Sequence, residues 1–251
     1  MYIVLFKRLV QVSFQEEIDI CMFFMVLVMI HSVDSESPEI SGASLNSTYV
    51  FEQLHFHWGN NDSLGSEDLI NNHSYSMEMH AVFWKKAYGT YDEAIKHDDG
   101  LSVLGYWYQR SSGGYAFISL KAGSNEALRN SDILNKLIAP DLASAQDYFT
   151  YKGSLTTPPC LEIVQWIDFA KPQHISHEQL AAFRSIQSFD GDDITHNFRP
   201  VQPLDGRTVY LKYILISKSN IILDIKGLFI SVTAFAVILA ATLVLPYHQS
   251  H

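Results

Sequence analysis

The chain has 251 residues and carries 17 Lys and Arg against 27 Asp and Glu, which gives a formal net charge of −10. This length suits one well-filled domain, and the acidic balance argues against nucleic acid as a partner because no basic stripe is available to neutralise phosphates. The two cysteines, Cys21 and Cys160, are too far apart for a CxxC motif, which argues against a cysteine-based metal or redox site.

The first 27 residues form an atypical segment whose main feature is the apolar run Ile18–Ile30. The run is shorter than a membrane-spanning helix. Its length fits the hydrophobic region of a signal peptide preceded by Lys7 and Arg8, whereas three acidic residues between positions 16 and 19 depart from that pattern. A buried strand within the run is the alternative.

Residues 28–215 have the pattern of a β-rich domain, because aromatic and β-branched residues form short runs separated by turn signals. The predicted strands are Val28–Val33, Thr48–Trp58, Met77–Trp84, Leu101–Gln109, Tyr115–Leu120 and Leu161–Phe169. Helices are fewer: Ser124–Ala139 is one, and Ser176 opens another because Gln179, three residues later, completes a capping-box pattern. The predicted fold class is therefore mainly β with a few short helices in a single domain.

The C-terminal run 227–246 contains no charged residue and has the length that a helix needs to cross about 30 Å of hydrocarbon. A spacer at 216–226 with small polar residues precedes it, which is the order of segments in a GPI-attachment signal. A single-pass transmembrane anchor is the alternative. Either would tether the protein to the extracellular face of the plasma membrane. Sequons at Asn46, Asn61 and Asn72 would accept glycans in that oxidising compartment, so the chain is predicted to be a membrane-bound glycoprotein.

One predicted strand carries His55 and His57 two residues apart, so both imidazoles point to the same face of a sheet. His80 lies on the next predicted strand. Two half-buried histidines are the usual outcome of such a pair, but three neutral imidazoles with an open fourth position make a catalytic zinc site. Gln53 and Glu78 share the faces of these histidines and are plausible acceptors for their second N–H groups. These neighbours favour a zinc site.

Further motifs follow one another along most of the chain. They are QLHFHWG at 53–59, GSE at 65–67, EMHAVFW at 78–84, LSVLG at 101–105, GSLTTPPC at 153–160, Trp166, and NFRPVQP at 197–203. Together they resemble the α-class carbonic anhydrases from about Val28 to about Tyr213. The resemblance implies the fold of that family, a single domain around a large twisted sheet that is mostly antiparallel.

The resemblance also implies an activity: reversible hydration of carbon dioxide to bicarbonate and a proton by zinc-bound hydroxide, the reaction of a zinc lyase (carbonate dehydratase). His55, His57 and His80 would bind Zn²⁺, with Gln53 and Glu78 behind them. Sulfonamides and anions would be inhibitors.

Other residues of the site take their roles from the same resemblance. Thr156 would accept a hydrogen bond from the hydroxide and donate its own proton to Glu67. The backbone N–H of Thr156 would bind bicarbonate or an anionic inhibitor, with Thr157 beside it. The apolar wall that binds carbon dioxide would consist of Val82, Val103, Leu155, Val164 and Trp166.

Two site positions depart from the family's pattern. The histidine that shuttles protons in fast members would fall near Phe24 and Met25, where this chain has none, so we expect slower turnover. Asp68 replaces a histidine that supports Glu78 in the family. Two carboxylates would therefore approach each other, and one of them would have to take a proton unless water intervenes.

The family's N-terminal segment also has no counterpart here, so the N-terminal part of the fold is expected to be incomplete. Residues 1–27 are either the product of an incomplete or mis-joined gene model or a genuine replacement. Cys160 matches a cysteine that secreted relatives pair with an N-terminal partner, which is missing unless Cys21 substitutes. The rival function is a catalytically impaired, carbonic anhydrase-related binding domain, against which the intact histidines argue.

Overall fold

The computed structural model describes residues 2–6, 27–31, 37–112, 147–187 and 191–213. These ranges contain nine strands: β1 Tyr2–Phe6, β2 Leu27–His31, β3 Glu39–Ile40, β4 Tyr49–Trp58, β5 Met77–Lys85, β6 Leu101–Arg110, β7 Tyr148–Gly153, β8 Val164–Ile175 and β9 Tyr210–Lys212. They also contain a 3₁₀ turn at Lys86–Tyr88 and two helices, α1 Tyr91–Ala94 and α2 His177–Arg184. The predicted class, mainly β with few short helices, is confirmed.

All nine strands belong to one sheet in the order β1-β2-β4-β5-β6-β8-β7-β9, with β3 paired to β4. Only β6 and β8 run parallel to each other, and every other pairing in the described ranges is antiparallel. The predicted, mostly antiparallel sheet is therefore present. Antiparallel neighbours that follow each other in the chain, such as β4 and β5, need no crossover connection.

The central strands β4, β5 and β6 are buried on both faces. Because side chains alternate along a strand, the two faces carry different sets of residues. One face carries the large apolar core, which includes Leu54, Phe56, Met79, Phe83 and Leu104. The opposite face carries the three histidines and a second apolar cluster. The period of two along each strand therefore separates the main core from the polar site.

Most predicted elements match the structure within a few residues. The strand predicted at Leu161–Phe169 instead runs from Val164 to Ile175. Pro172 made the longer strand difficult to recognise, since proline cannot donate to a ladder. In the structure it lies where the register between β6 and β8 shifts, because Tyr106 pairs with Phe169 and Tyr108 with Gln173.

Several strands were not predicted, namely β1, β3, β7 and β9. β1 lies in the segment 1–27, which contains none of the motifs that carry the family resemblance, and it pairs with β2. The helix opened by Ser176 is confirmed, and both hydrogen bonds of its capping box are present. The strand predicted at Tyr115–Leu120, the helix at Ser124–Ala139 and the run 227–246 lie outside the described residues.

Candidate functional site

The three histidines converge on one face of the sheet because β4 and β5 place them in adjacent rows. His55 pairs directly with His80 across the two strands, and His57 lies two residues further along β4. Their ring centroids are 4.7–5.2 Å apart, and at most 5% of any of the three residues is exposed. One nitrogen from each ring lies within 4.8 Å of the others, a separation that a single metal ion could bridge.

Each histidine is held by an acceptor at its other ring nitrogen. His55 Nδ1 donates to Gln53 Oε1 over 2.9 Å, as the shared strand face predicted. His80 Nε2 donates to Glu78 Oε1 over 2.6 Å. An amide oxygen and an ionised carboxylate can only accept, so with Glu78 ionised these ring nitrogens carry the proton and the opposite nitrogens keep a lone pair.

The partner of His57 is the backbone carbonyl of Asn197, which accepts from Nδ1 over 3.0 Å. Two side-chain hydrogen bonds fix Asn197 on β4: its Oδ1 accepts from Trp58 N and its Nδ2 donates to Phe56 O. Sequence reasoning assigned no role to this residue, although the NFRPVQP motif contains it. A backbone acceptor 140 positions away has no side-chain signature that spacing could reveal.

Burial keeps the three imidazoles neutral. Desolvation lowers the pKa of His55 well below its usual value, and the neighbouring His57 and His80 lower it further. Desolvation also lowers the pKa of His57 and of His80, against an opposing effect of Glu67. Metal ligation requires neutral imidazoles, so this environment suits it.

The residues present fit a zinc ion. His55 Nε2 and His57 Nε2 are buried and have no hydrogen-bond partner among the described residues, which is costly for a polar atom unless something occupies the space between them. Three imidazole nitrogens without thiolates are a donor set that zinc accepts with one position left open.

Glu67 lies against the same nitrogens. Its Oε1 accepts from the backbone N–H of Arg199 over 2.6 Å, and its Oε2 lies 3.3 Å from His57 Nε2 and 3.9 Å from His80 Nδ1. Oε2 is buried and accepts no hydrogen bond within the described residues. The hydrogen bond from Thr156 that the resemblance implies is therefore not made here, and it stays a prediction.

The five residues proposed as an apolar wall lie together beside the histidines. Val82, Val103, Val164 and Trp166 belong to one buried cluster, and Leu155 packs against it. The Trp166 ring is 4.8 Å from the His80 ring between centroids. Thr156 and Thr157 follow Leu155 in the chain and are half-buried.

Glu78 lies beside two other acidic residues, Glu67 and Asp68, and its negative charge acts on Asp68 as the departure at that position predicted. Its Oε2 accepts from the backbone N–H groups of Glu67 and Asp68, each over 2.9 Å, while Tyr151 Oη donates to Asp68 Oδ2 over 2.8 Å. Burial and the negative charge of Glu78 raise the pKa of Asp68 to about 7. Burial also raises the pKa of Glu78, to about 8, against the lowering effect of those N–H groups.

The place expected for a shuttle histidine, near Phe24 and Met25, lies outside the described residues. His31, the nearest histidine in the sequence, is paired in register with Gln53 at the end of β2. Cys160 is disulfide-bonded, and Cys21 is not among the described residues.

No helix in the part of the chain that the structure describes is long and apolar enough to cross a bilayer.

Comparison with known proteins gives matches over this same region. The family model for eukaryotic-type carbonic anhydrase matches residues 25–213. The chain is 36% identical to mitochondrial carbonic anhydrase 5A of Rattus norvegicus, over 69% of this chain and 60% of that protein. It is 35% identical to carbonic anhydrase 3 of Equus caballus, over 68% of each chain. It is also 35% identical to the putative carbonic anhydrase 3 of Caenorhabditis elegans, over 70% of this chain and 69% of that protein.

Proposed function

The chain belongs to the eukaryotic-type carbonic anhydrase family, and on that premise we propose that it catalyses the zinc-dependent, reversible hydration of carbon dioxide to bicarbonate. The observation that carries the proposal is the convergence of His55, His57 and His80, each with its second ring nitrogen already hydrogen-bonded. That arrangement leaves three lone pairs on neutral imidazoles around one point.

Zinc held there would lower the pKa of a bound water to about 7, a value established for carbonic anhydrase, and would so supply a nucleophile at neutral pH. The residues of the chain supply orientation. Gln53, Glu78 and the Asn197 carbonyl fix the tautomer and direction of each imidazole, which is the usual contribution of such partners to metal affinity.

Thr156 and Glu67 would orient the nucleophile. Glu67 Oε2 is a buried acceptor without a donor among the described residues, and the hydroxyl of Thr156 is the donor that the family resemblance assigns to it. With its proton committed to Glu67, the Thr156 oxygen can act only as an acceptor, so it selects one direction for the attacking oxygen. The backbone N–H of Thr156, with Thr157 beside it, would bind the bicarbonate product.

The apolar cluster around Trp166 would bind carbon dioxide before attack. Carbon dioxide has no net charge or dipole, so a wall of aliphatic and aromatic carbon accepts it without desolvating a polar group. Bicarbonate is charged and gains nothing from the same surface, so the wall also favours release of the product.

Proton release is the step for which the sequence offers no residue, since Phe24 and Met25 occupy the place of the shuttle histidine. We therefore propose that turnover is limited by proton transfer. Added imidazole buffer should raise kcat without changing kcat/KM, because it replaces the missing relay. An unchanged kcat over a wide range of imidazole concentration would contradict this limit.

We also propose that the protein works outside the cell, bound to the membrane by the run 227–246 as a GPI-anchored or single-pass glycoprotein. The disulfide at Cys160 supports an oxidising compartment. The sequon residues Asn46, Asn61 and Asn72 are exposed, as acceptors of glycans must be. Release of the protein from intact cells by a phosphatidylinositol-specific phospholipase would support the GPI anchor, and retention would favour the transmembrane alternative.

Stopped-flow measurement of carbon dioxide hydration tests the proposed activity. The zinc-loaded protein should hydrate carbon dioxide, and acetazolamide, a sulfonamide, should inhibit it. A His57→Ala variant should lose both zinc and activity, whereas Glu162→Gln, which changes an exposed acidic residue, should retain both. Stoichiometric zinc without inhibitable hydration would contradict the enzyme and favour a catalytically impaired binding domain.

A further inference from the structure

Tyr151 on β7 connects to the candidate metal centre by two separate sets of contacts, and the mechanism above assigns it no role. It pairs in register with Trp166 on β8, and the two rings are nearly parallel, 7° apart, with centroids separated by 6.1 Å. A Cβ atom on Gly153 would lie 3.0 Å from Tyr151 Cε2 and 3.0 Å from Trp166 Cδ1. A side chain at position 153 would press on both rings, so the glycine permits their arrangement.

The first set of contacts is made by the ring of Tyr151. The ring packs against the buried cluster that contains Val82, Val103 and Trp166, which is the apolar wall beside the histidines. Trp166 is also fixed at its other edge, where Nε1 donates to the carbonyl of Ser154 over 3.1 Å. Its ring lies 4.8 Å from the His80 ring between centroids. Packing therefore connects Tyr151 through Trp166 to one of the metal-binding imidazoles.

The second set of contacts begins at the hydroxyl of Tyr151. Its Oη donates to Asp68 Oδ2 over 2.8 Å. The backbone N–H of Asp68 donates to Glu78 Oε2 over 2.9 Å, and Glu78 Oε1 accepts from His80 Nε2 over 2.6 Å. The hydroxyl therefore fixes the side chain of a residue whose main chain orients Glu78, and Glu78 in turn orients His80.

The outer side of Tyr151 is covered by Arg207. The guanidinium carbon of Arg207 lies over the Tyr151 ring, 5.9 Å from its centroid, a position in which a cation is attracted to the ring. Arg207 is held by its own loop, since Nε donates to the carbonyl of Leu204 over 2.9 Å and Nη2 donates to that of Pro203 over 2.7 Å. The Tyr151 ring thus has a fixed neighbour on the solvent side as well as Trp166 beside it.

We propose that Tyr151 is a positioning residue that holds His80 by two routes, through its hydroxyl by way of Asp68 and Glu78, and through its ring by way of Trp166. Loss of the hydroxyl alone should disturb the Nε2 side of the imidazole and leave the apolar wall in place. Loss of the ring should disturb both. The kinetic consequences rest on the proposed function, whereas the orientation of His80 does not depend on catalysis.

Nuclear magnetic resonance of the zinc-loaded protein, with labelled histidine, tests the hydroxyl route. The Nε2–H proton of His80 is hydrogen-bonded to Glu78, so it should give a resonance that Tyr151→Phe shifts or broadens. Zinc affinity of this variant should fall about 3- to 10-fold, less than the effect known for direct partners of metal ligands. Tyr148→Phe is the matched control, because it removes a hydroxyl that contacts Ser44 from the opposite face of β7, and it should change neither. A resonance and an affinity unchanged by Tyr151→Phe, or changed equally by Tyr148→Phe, would overturn the proposal.

A double-mutant cycle tests whether Tyr151 acts through Asp68. Tyr151→Phe and Asp68→Ala break the same route, so the double variant should bind zinc within about 2-fold of the weaker single variant. Independent, additive losses would contradict the route. These experiments need no activity, so they remain decisive if the protein binds zinc and does not hydrate carbon dioxide.

Kinetics separate the ring from the hydroxyl. Tyr151→Leu removes both and should lower kcat/KM for hydration about 10-fold or more, because small displacements at a reacting centre are costly. Tyr151→Phe keeps the ring beside Trp166 and should stay within about 3-fold of the wild type. Equal kcat/KM in the two variants would contradict the ring route. Circular dichroism shows whether Tyr151→Leu folds, and the double-mutant cycle carries the test if it does not.

Discussion

Replacement of Glu78 by glutamine tests how the site controls the orientation of His80. The carboxylate accepts three hydrogen bonds: one from His80 Nε2 at Oε1, and two from the backbone N–H groups of Glu67 and Asp68 at Oε2. An amide has one oxygen and one NH₂ group. In either orientation of the new amide, its NH₂ group must face at least one of these three donors, so Glu78→Gln cannot satisfy them all.

The less costly orientation points the amide oxygen at the two backbone donors and the NH₂ group at His80. His80 would then have to accept at Nε2 and carry its proton on Nδ1, the nitrogen that faces the metal centre. Loss of a hydrogen bond to a charged group costs about 1.5–3 kcal/mol, which corresponds to a roughly 10- to 150-fold change in an equilibrium constant. The effects known for such partners of metal ligands, about 10- to 100-fold in affinity, agree with this range.

Competition with a chromophoric chelator at pH 7.5 measures the change. We expect Glu78→Gln to bind zinc about 10- to 100-fold more weakly than the wild type, with a circular dichroism spectrum that shows an intact sheet. Glu162→Gln, which removes an exposed charge, is the matched control and should bind zinc as the wild type does. Wild-type affinity in Glu78→Gln would refute the argument that this carboxylate sets the tautomer of His80.

Three further predictions concern stability. Ser176→Ala removes the cap of α2 and should lower the free energy of unfolding by about 1 kcal/mol in urea titrations; no change would contradict the capping box. Partial burial raises the pKa of Asp62, but hydrogen bonds, of which the one from Arg184 has the largest effect, lower it below its usual 3.8. That stabilisation is present above about pH 4 and lost as the pH falls through the folded pKa, so Asp62→Asn should be about 1 kcal/mol less stable at pH 7 and equal to the wild type near pH 2. Gly105→Ala should cost about 1–3 kcal/mol because its Cβ displaces Asp168, and adding Asp168→Ala should recover part of the loss; additive effects would argue against the clash.

Local pattern was sufficient to predict the elements that position the histidines. The two-residue spacing of His55 and His57 requires only that a strand have a period of two, and the structure places both on one face. The capping box at Ser176 is equally local, since both its partners lie within one helical turn. The fold as a whole followed from the family resemblance rather than from these patterns.

Features that depend on distant pairing could not be predicted from spacing. The Asn197 carbonyl meets His57 across 140 positions, and a main-chain acceptor looks the same at every residue. Asp168 meets Gly105 only because β6 and β8 run parallel with a particular register. The length of β8 was underestimated for a related reason, since the irregular pairing that accommodates Pro172 exists only in the assembled sheet.

X-ray absorption spectroscopy at the zinc edge is the decisive test of the proposed metal centre, because it reports the atoms bound to the metal. For protein purified with one zinc ion per chain, we expect three imidazole nitrogens and one oxygen at about 2.0–2.1 Å, with the imidazole contribution reduced in a His55→Ala variant. A sulfur ligand at about 2.3 Å, or an imidazole contribution unchanged by the loss of His55, would show that zinc binds elsewhere and would contradict a site formed by the three histidines.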